Sequence, residues 1–264
     1  MNARNRTGKM PVLFIGHGSP MNAIEDNEFH RSWRELARRI PRPKAILCVS
    51  AHWETPGVSV TASDRPKTIH DFFGFPADLF AVQYPAPGDP RLALRTAELL
   101  GKGRVRIDPE RGLDHGCWSV LGAMYPDADV PVVQLSLSTS QPGSFHYGMA
   151  KALAPLREEE ILVIGSGNIV HNLRLFDYQS AGPLDWAVAF DEEVRRRLST
   201  GAHEALIEYK TLGPNARLAV PTPEHYLPLL YGIALQEEGE ALEFFNTTVM
   251  SSISMTSVLI GEFS

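Results

Sequence analysis

The sequence predicts an α/β fold, a single domain with a largely parallel central sheet flanked by helices and a C-terminal antiparallel edge. Three observations lead to this prediction. Short apolar runs bounded by turn-forming residues recur along the chain, stretches of helical periodicity lie between them, and two β-rich segments follow each other near its end. Strands that alternate with helices pair in parallel, whereas consecutive β-rich segments pair as an antiparallel hairpin.

The first strand–helix–strand unit is predicted near the start of the chain. Val12–Ile15 and Ala45–Val49 are continuous apolar runs, which are typical of strands buried on both faces. Between them apolar residues recur at helical spacing, and charged residues fill the opposite face. The apolar positions of this helix are Phe29, Trp33, Leu36, Ala37 and Ile40.

The rest of the chain continues the alternation. Asp89 followed by Pro90 predicts the start of a helix, and Gly101 predicts its end. The further predicted elements are strands at Val130–Leu137 and Ile161–Ile164, helices at about Tyr147–Leu156, Leu184–Leu198 and Tyr226–Leu235, and an antiparallel pair formed by Glu243–Val249 and Ile253–Ile260.

The composition limits the possible classes of function. The 264 residues are 44% hydrophobic and 21% charged, as expected of one folded domain, here residues 11–264 after a polar tail at 1–10. The net charge of -6 excludes general attraction to nucleic acid or anionic lipid. No apolar run approaches the ~20 residues that span a bilayer. Cys48 and Cys117 form no paired motif, so a reducing cytoplasm is the expected location.

Four of the nine histidines are the candidate functional residues. His17 and His52 follow the first two predicted strands, and His171 follows the strand at Ile161–Ile164. His225 lies in a loop stiffened by proline, before a predicted buried helix. Because ligands of open α/β sheets bind outside the carboxyl ends of the strands, we expect these imidazoles to converge. Imidazole binds zinc, iron, copper and nickel, and the set therefore predicts three metal ligands and one acid/base.

The other histidines are weaker candidates. His115 and His70 lie in segments rich in glycine and aromatic residues, predicted as loops of the kind that shape a pocket. His30, His146 and His203 fall on predicted helical stretches without a partner motif, and we expect them on the surface or half-buried. For each histidine taken singly, a hydrogen-bonded turn residue is the alternative interpretation.

Several other chemistries lack a required residue. The sequence His203-Glu204 begins like a zincin helix, but Ile207 replaces the second histidine. The sequence after His52 has no deaminase Pro-Cys-x-x-Cys. Val170 stands where a dinucleotide-binding loop needs glycine, and no Gly-x-Ser-x-Gly is present.

Six motifs together resemble the class III (LigB-like) extradiol dioxygenases, and most closely their DOPA 4,5-dioxygenase-type branch. They occur in order along nearly the whole chain, which makes the set more specific than any one motif. The motifs are Gly16–Pro20, Ser50–Trp53, His70–Phe72, Asp114–Gly116, Ser166–Leu173 and Thr222–Leu230.

The resemblance implies a LigB-like catalytic domain over residues 11–264 and a non-haem Fe(II) enzyme that opens a catechol ring beside its two hydroxyls with O2. It implies that His17, His52 and His225 are the metal ligands. The wider superfamily uses two histidines and a glutamate, whereas here the third position has His225 directly after Glu224. Three imidazoles suit Zn(II) as well as Fe(II), and members of this branch are isolated with zinc.

The resemblance also implies roles around the metal. His171 matches the acid/base, His115 matches a residue near the substrate, and His70 is taken with His115 as substrate-binding. The expected partners are a small-molecule catechol and O2, with no nucleic acid and no membrane, and no oligomeric state is predicted. Two alternatives remain from the residues alone, a zinc-dependent hydrolase and a non-catalytic metal-binding scaffold.

Overall fold

The computed structural model describes residues 8–177, 179 and 182–261. Its strands are β1 (Val12–Gly16), β2 (Ala45–Thr55), β3 (Val58–Thr61), β4 (Val105–Asp108), β5 (Val132–Ser138), β6 (Ile161–Gly167), β7 (Leu242–Phe245), β8 (Val249–Met250), β9 (Ile253–Ser254) and β10 (Ser257–Ile260). Its α-helices are α1 (Glu28–Arg39), α2 (Ala77–Phe80), α3 (Pro90–Leu100), α4 (His115–Met124), α5 (Gly143–Lys151), α6 (Pro155–Glu158), α7 (Asp185–Ser199), α8 (His203–Ile207), α9 (Ala216–Ala219) and α10 (Leu227–Ala234). Short 3-10 helices cover Pro20–Ala23, Leu173–Leu175 and Tyr209–Thr211.

Eight strands form one sheet in the order β4-β3-β5-β2-β6-β1-β10-β7. The four central strands β5, β2, β6 and β1 are mutually parallel. At one side β3 pairs antiparallel with β5 and parallel with β4. At the other side β10 pairs antiparallel with both β1 and β7. The predicted α/β class, the largely parallel sheet and the C-terminal antiparallel edge are confirmed.

The sheet is covered on both faces, as the apolar runs predict. Along β1, Val12 and Phe14 pack into one core and Leu13 and Ile15 into the other, because successive side chains of a strand point to opposite faces. The first core includes side chains of α3, α5, α7 and α10, and the second includes those of α1 and α4.

Most predicted elements are confirmed within a few residues, and three parts of the fold differ from the prediction. The helix predicted at 147–156 is divided into α5 and α6, because Pro155 has no N–H to donate to the preceding turn. The C-terminal pair is more elaborate than one hairpin: β7 pairs with β10, and the intervening β8 and β9 form their own two-stranded ribbon. Strands β3 and β4 and helices α2, α4 and α9 were not predicted.

The ends of the chain are described in part. Residues 1–7 of the predicted polar tail lie outside the described residues. Met10, at the end of that tail, is buried, and its backbone N–H donates to the carbonyl of Arg157 over 2.9 Å. Among the described residues, no helix combines the length and the hydrophobicity that crossing a bilayer requires.

Candidate functional site

The site lies at the carboxyl ends of the adjacent strands β2, β6 and β1. His17 comes directly after β1, and its backbone N–H donates to the carbonyl of Gly167, the last residue of β6 (3.1 Å). His171 comes four residues after the end of β6, and its backbone N–H donates to the carbonyl of Ala219 (2.9 Å). The sequence-based placement of these two histidines beyond strand ends is confirmed.

The prediction that His52 follows its strand was wrong. Strand β2 continues to Thr55, and its register against β5 shifts between Val49 and Glu54, so that His52 lies within an irregular stretch of the strand. Ser50 stabilises this stretch, because its hydroxyl accepts the N–H of His52 (3.2 Å) and donates to the buried carboxylate of Asp114 (2.6 Å). In a sequence, polar residues after an apolar run indicate the end of a strand. Here Ser50, His52 and Asp114 form hydrogen bonds inside the fold, so the strand continues past them.

His225 reaches the same place from the loop between α9 and α10. The loop contacts the end of β6 closely: the N–H of Asn168 donates to the carbonyl of His225 over 2.8 Å. A Cβ on Gly167 would lie 2.2 Å from that carbonyl oxygen, far inside van der Waals contact. Glycine at position 167 is therefore what permits the loop to approach the strand.

The rings of His17, His52 and His225 form a nearly equilateral triangle. Their centres are 5.0, 5.0 and 5.5 Å apart. Imidazoles that bind one ion at about 2.1 Å hold their ring centres roughly 3.2 Å from it, and hence about 5 Å from one another. Between His17 and His52 the two Nε2 atoms lie 3.1 Å apart. That separation suits two nitrogens that share one cation.

Hydrogen bonds fix which nitrogen of His17 is free. The hydroxyl of Ser166 donates to the carbonyl of Gly116 over 2.5 Å, so toward Nδ1 of His17, 3.0 Å away, it acts as the acceptor. Nδ1 therefore bears the proton, and Nε2 keeps its lone pair on the side of His52.

A hydrogen bond likewise shows which ring nitrogen of His225 is free. Its Nδ1 lies 3.1 Å from a carboxylate oxygen of Glu224, which accepts a hydrogen bond from that nitrogen. Its Nε2 is buried and has no hydrogen-bond partner among the described residues. A buried polar atom without a partner is costly unless a ligand satisfies it. A carboxylate behind an imidazole is also the usual outer support of a metal-binding histidine.

The site favours neutral imidazoles, the form that binds metal ions. Burial lowers the pKa of His17, His52 and His225 well below the usual value, and the charges of neighbouring histidines lower it further. Burial, together with the charge of His115, lowers the pKa of His171 to about 4.

His171 lies against the triangle in a different way. Its ring stacks on that of His225, with centres 3.4 Å apart and planes only 9° from parallel. A metal ion lies in the plane of each imidazole that binds it, and two parallel stacked planes share no such point. Nitrogen or oxygen atoms of His171, Glu224 and His225 do lie within 4.8 Å of one another, but the stacked rings cannot both bind one ion.

His115 lies beside His52, with ring centres 3.8 Å apart. It is the first residue of α4, capped by Asp114, so the prediction that it lies in a loop was wrong. A ring nitrogen of His115 lies within 4.8 Å of nitrogens of His17 and His52. If His115 and His52 bound the same ion, the short distance between their ring centres would make an acute angle at that ion. The wider triangle of His17, His52 and His225 avoids such an angle.

Sequence reasoning missed Asp71. Its carboxylate is 3.0 Å from both the backbone nitrogen and Nδ1 of His115, and 3.6 Å from Nδ1 of His52. Burial by itself raises the pKa of this carboxyl, but hydrogen bonds from His115 and the charges of His115 and His52 lower it to about 2. Asp71 belongs to the motif His70–Phe72, in which a role is predicted for His70 alone.

His70, the other predicted substrate-binding residue, lies away from the triangle. Its Nε2 is 3.0 Å from the carbonyl of Val82, and its ring packs with Phe72, Phe80 and Trp118. Phe72 in turn contacts the ring of His115, with centres 5.5 Å apart. Among the described residues, it is this aromatic cluster that connects His70 with the site.

The remaining histidines have structural contacts. His30 and His203 are half-buried, as expected. The prediction for His146 was wrong: it is fully buried, with its ring nitrogens 3.1 Å from the Tyr231 hydroxyl and 3.2 Å from the Ser138 carbonyl. A helical histidine without a partner motif gives no sign of such a buried polar pair.

Comparison with known proteins places the chain in a family. Residues 11–257 match the family model described as the catalytic LigB subunit of aromatic ring-opening dioxygenase. A relative from Escherichia coli (strain K12) named 4,5-DOPA dioxygenase extradiol is 48% identical over 259 residues, which are 96% of this chain and 95% of the relative. A protein of the same name from Beta vulgaris is 45% identical and covers 90% of this chain and 91% of its own length.

A solved structure agrees with these relatives. The crystal structure of an uncharacterized protein from Escherichia coli K12 superposes with a TM-score of 0.84 at 44% sequence identity, and it covers 96% of this chain and 100% of its own. The order of motifs, the sheet and the convergence of imidazoles at its strand ends therefore have one explanation. The chain belongs to the LigB family of aromatic ring-opening dioxygenases, in agreement with the resemblance seen in its sequence.

Proposed function

We propose that this protein is a metal-dependent extradiol dioxygenase that opens a DOPA-like catechol with O2, and that His17, His52 and His225 bind the metal. The observation that supports this best is the Nε2 atom of His225, which is buried without a partner while Nδ1 of the same ring is bound to Glu224. A cation would satisfy its lone pair, and His17 offers a second lone pair in the same triangle.

Fe(II) is the ion proposed for the activity. Three neutral imidazoles would hold the ion and leave it accessible to substrate and O2. They suit Zn(II) equally well, so the ion bound in the isolated protein and the active ion can differ. When bound, Fe(II) supplies the one-electron chemistry that lets O2 react with an aromatic ring. The side chains supply binding, orientation and proton transfer.

His171 is the proposed acid/base. With its pKa lowered to about 4, the ring is neutral at pH 7 and has a lone pair available for the proton of a catechol hydroxyl. Stacking on His225 keeps its ring beside the metal ligands without joining them. The proton accepted at a ring nitrogen can return to the product when the carbon skeleton opens.

The substrate side of the site is proposed to include His115, with His70 behind it. The aromatic face formed by Phe72 and the ring of His115 suits a flat, hydroxylated ring better than a phosphate or a sugar. In this proposal His70 braces Phe72 and Trp118 through its bond to the Val82 carbonyl.

The test is reconstitution of the metal-free protein under anaerobic conditions, with Fe(II) or Zn(II), followed by addition of O2 and a panel of catechols. We expect O2 uptake and a yellow semialdehyde product with Fe(II) alone. His225→Ala should lose most of the bound metal and the activity. His203→Ala is the matched control, because that imidazole is held by Tyr147 and Gln236 outside the triangle.

Three outcomes would contradict the proposal. Zinc-dependent cleavage of esters without O2 uptake would indicate a hydrolase. Metal binding with neither reaction, and with iron verified in the protein, would indicate a scaffold. Full metal occupancy in two of the three single alanine variants of His17, His52 and His225 would refute the ligand set.

A further inference from the structure

We infer that Asp71 is a positioning residue that holds His115 in one tautomer and one orientation beside the metal ligands. This inference deepens the proposed function and rests on it. Asp71 is neither a proposed metal ligand nor the proposed acid/base, and its hydrogen bonds to His115 are the basis of the inference.

One oxygen of Asp71 accepts two hydrogen bonds from the same residue. Oδ1 lies 3.0 Å from the backbone nitrogen of His115 and 3.0 Å from its Nδ1. The backbone bond fixes the carboxylate relative to the first turn of α4, and the ring bond then fixes the imidazole relative to the carboxylate. Two bonds to one residue leave the ring little freedom to rotate.

The second bond also selects the tautomer. An ionised carboxylate only accepts hydrogen bonds, so Nδ1 of His115 must bear the proton. In the neutral ring Nε2 is then an acceptor, able to receive a hydrogen bond from a catechol hydroxyl. Without Asp71 both tautomers are open to the ring, and the wrong one presents an N–H to that hydroxyl. Loss of tautomer control is costly when a histidine must act through one particular nitrogen.

The surroundings fit an orienting role. The side chain of Asp71 is only 23% exposed, and its second oxygen lies 3.6 Å from Nδ1 of His52. The carboxylate thus lies between two imidazoles whose ring centres are 3.8 Å apart. One carboxylate therefore contacts the Nδ1 side of both rings.

The experiment compares Asp71→Ala with Asp71→Asn. The asparagine variant keeps an oxygen that can accept both bonds from His115, whereas alanine removes both. Tautomers are read by nitrogen NMR of histidine-labelled protein in its diamagnetic zinc-loaded form, with the His115 signals assigned from their absence in His115→Ala. We expect Nδ1–H in the wild type and in Asp71→Asn, and a mixture of tautomers in Asp71→Ala.

Kinetics of the iron-loaded protein provide the second measurement. Asp71→Ala should raise the KM for catechol by about tenfold or more, as loss of an outer supporting group commonly does. In a His115→Ala background the same substitution should add little, because the two residues act as one unit. Asp78→Ala is the control, because Asp78 is exposed on α2, the helix that follows Asp71 in the chain.

Two results would overturn the inference. One is an unchanged Nδ1–H tautomer of His115 in Asp71→Ala. The other is full additivity of the two alanine substitutions in KM, which would mean that Asp71 acts on the loop and not through His115. If the proposed activity itself is absent, the wild type shows no O2 uptake, and the tautomers can still be read in the metal-free protein. The two failures are therefore distinguishable.

Discussion

Replacing Ser166 by alanine removes the group that fixes the tautomer of His17. The hydroxyl accepts from Nδ1 of His17 and donates to the carbonyl of Gly116, and all three residues are buried. The substitution leaves the Nδ1–H of His17 without a partner, whereas the carbonyl of Gly116 lies within α4 and keeps its helical hydrogen bond. At about 1 to 3 kcal/mol for an unsatisfied buried group, the free energy of unfolding of the metal-free protein should fall by roughly that amount.

The effect on metal binding follows from the same bond. Loss of an outer support of a ligand weakens metal binding by about 10- to 100-fold. Zinc affinity is measured by competition with a chromophoric chelator, and stability by urea unfolding of the metal-free protein. The expected result for Ser166→Ala is a zinc Kd raised by that factor together with the loss of stability.

Ser119→Ala provides the matched control. Its hydroxyl is also buried, on α4, but it has no hydrogen-bond partner among the described residues. Removing it breaks no such bond, so zinc affinity should not change and stability should stay the same or rise. A wild-type zinc Kd in folded Ser166→Ala would refute the assignment of the Ser166 bond as the support of His17.

Three further predictions concern the site and the core. His171→Ala should retain its zinc while kcat of the iron-loaded protein falls by roughly 100-fold or more, as with loss of a general base; loss of zinc would instead make His171 a ligand. Gly167→Ala should displace the loop of His225 and reduce metal stoichiometry, whereas Gly148→Ala, exposed on α5 with nothing within 4 Å of the added Cβ, should leave it intact; equal occupancy in both would contradict the close approach. His146 has its pKa lowered by burial from 6.5 to about 4, so the unfolded chain binds a proton first as pH falls. Its stabilising contribution is present above pH 6.5 and lost toward pH 4, and between pH 7 and 4 the wild type should lose about 3 kcal/mol more than His146→Gln in urea unfolding. Parallel pH curves for the two proteins would show that folding does not lower the pKa of His146.

Much of the fold follows from local sequence patterns. The apolar runs of β1, β5 and β6 are long enough to identify buried strands, and Asp89, Pro90 and Gly101 bound α3 at the predicted residues. Strands β3 (Val-Ser-Val-Thr) and β4 (Val-Arg-Ile-Asp) alternate apolar and polar residues over only four positions, so neither forms a continuous apolar run. Helix α4 has buried residues on nearly every side, so it shows no amphipathic periodicity, although Asp114 before it is an ordinary N-cap.

Local sequence patterns also predict part of the candidate site. Strand ends are marked in the sequence by glycine and polar residues, so that His17 and His171 could be placed at one edge of the sheet. The position of Asp71 depends on a loop that meets the start of α4 only through tertiary contacts, and no local pattern encodes such a meeting. The extension of β2 through His52 likewise depends on Ser50 and on Asp114, a residue distant in sequence.

The pairing of β1 determines the order in which the site can be assembled during synthesis. The strand before His17 lies between β6 and β10, and Val12 pairs with Val163 on one side and with Ile260 on the other. These are among the contacts of greatest sequence separation in the fold, and such contacts form late because a long loop must first be closed. A ribosome-bound chain that ends before β10 leaves one edge of β1 unpaired. His17 is thus translated first among the three proposed ligands, yet its strand is among the last to gain both neighbours.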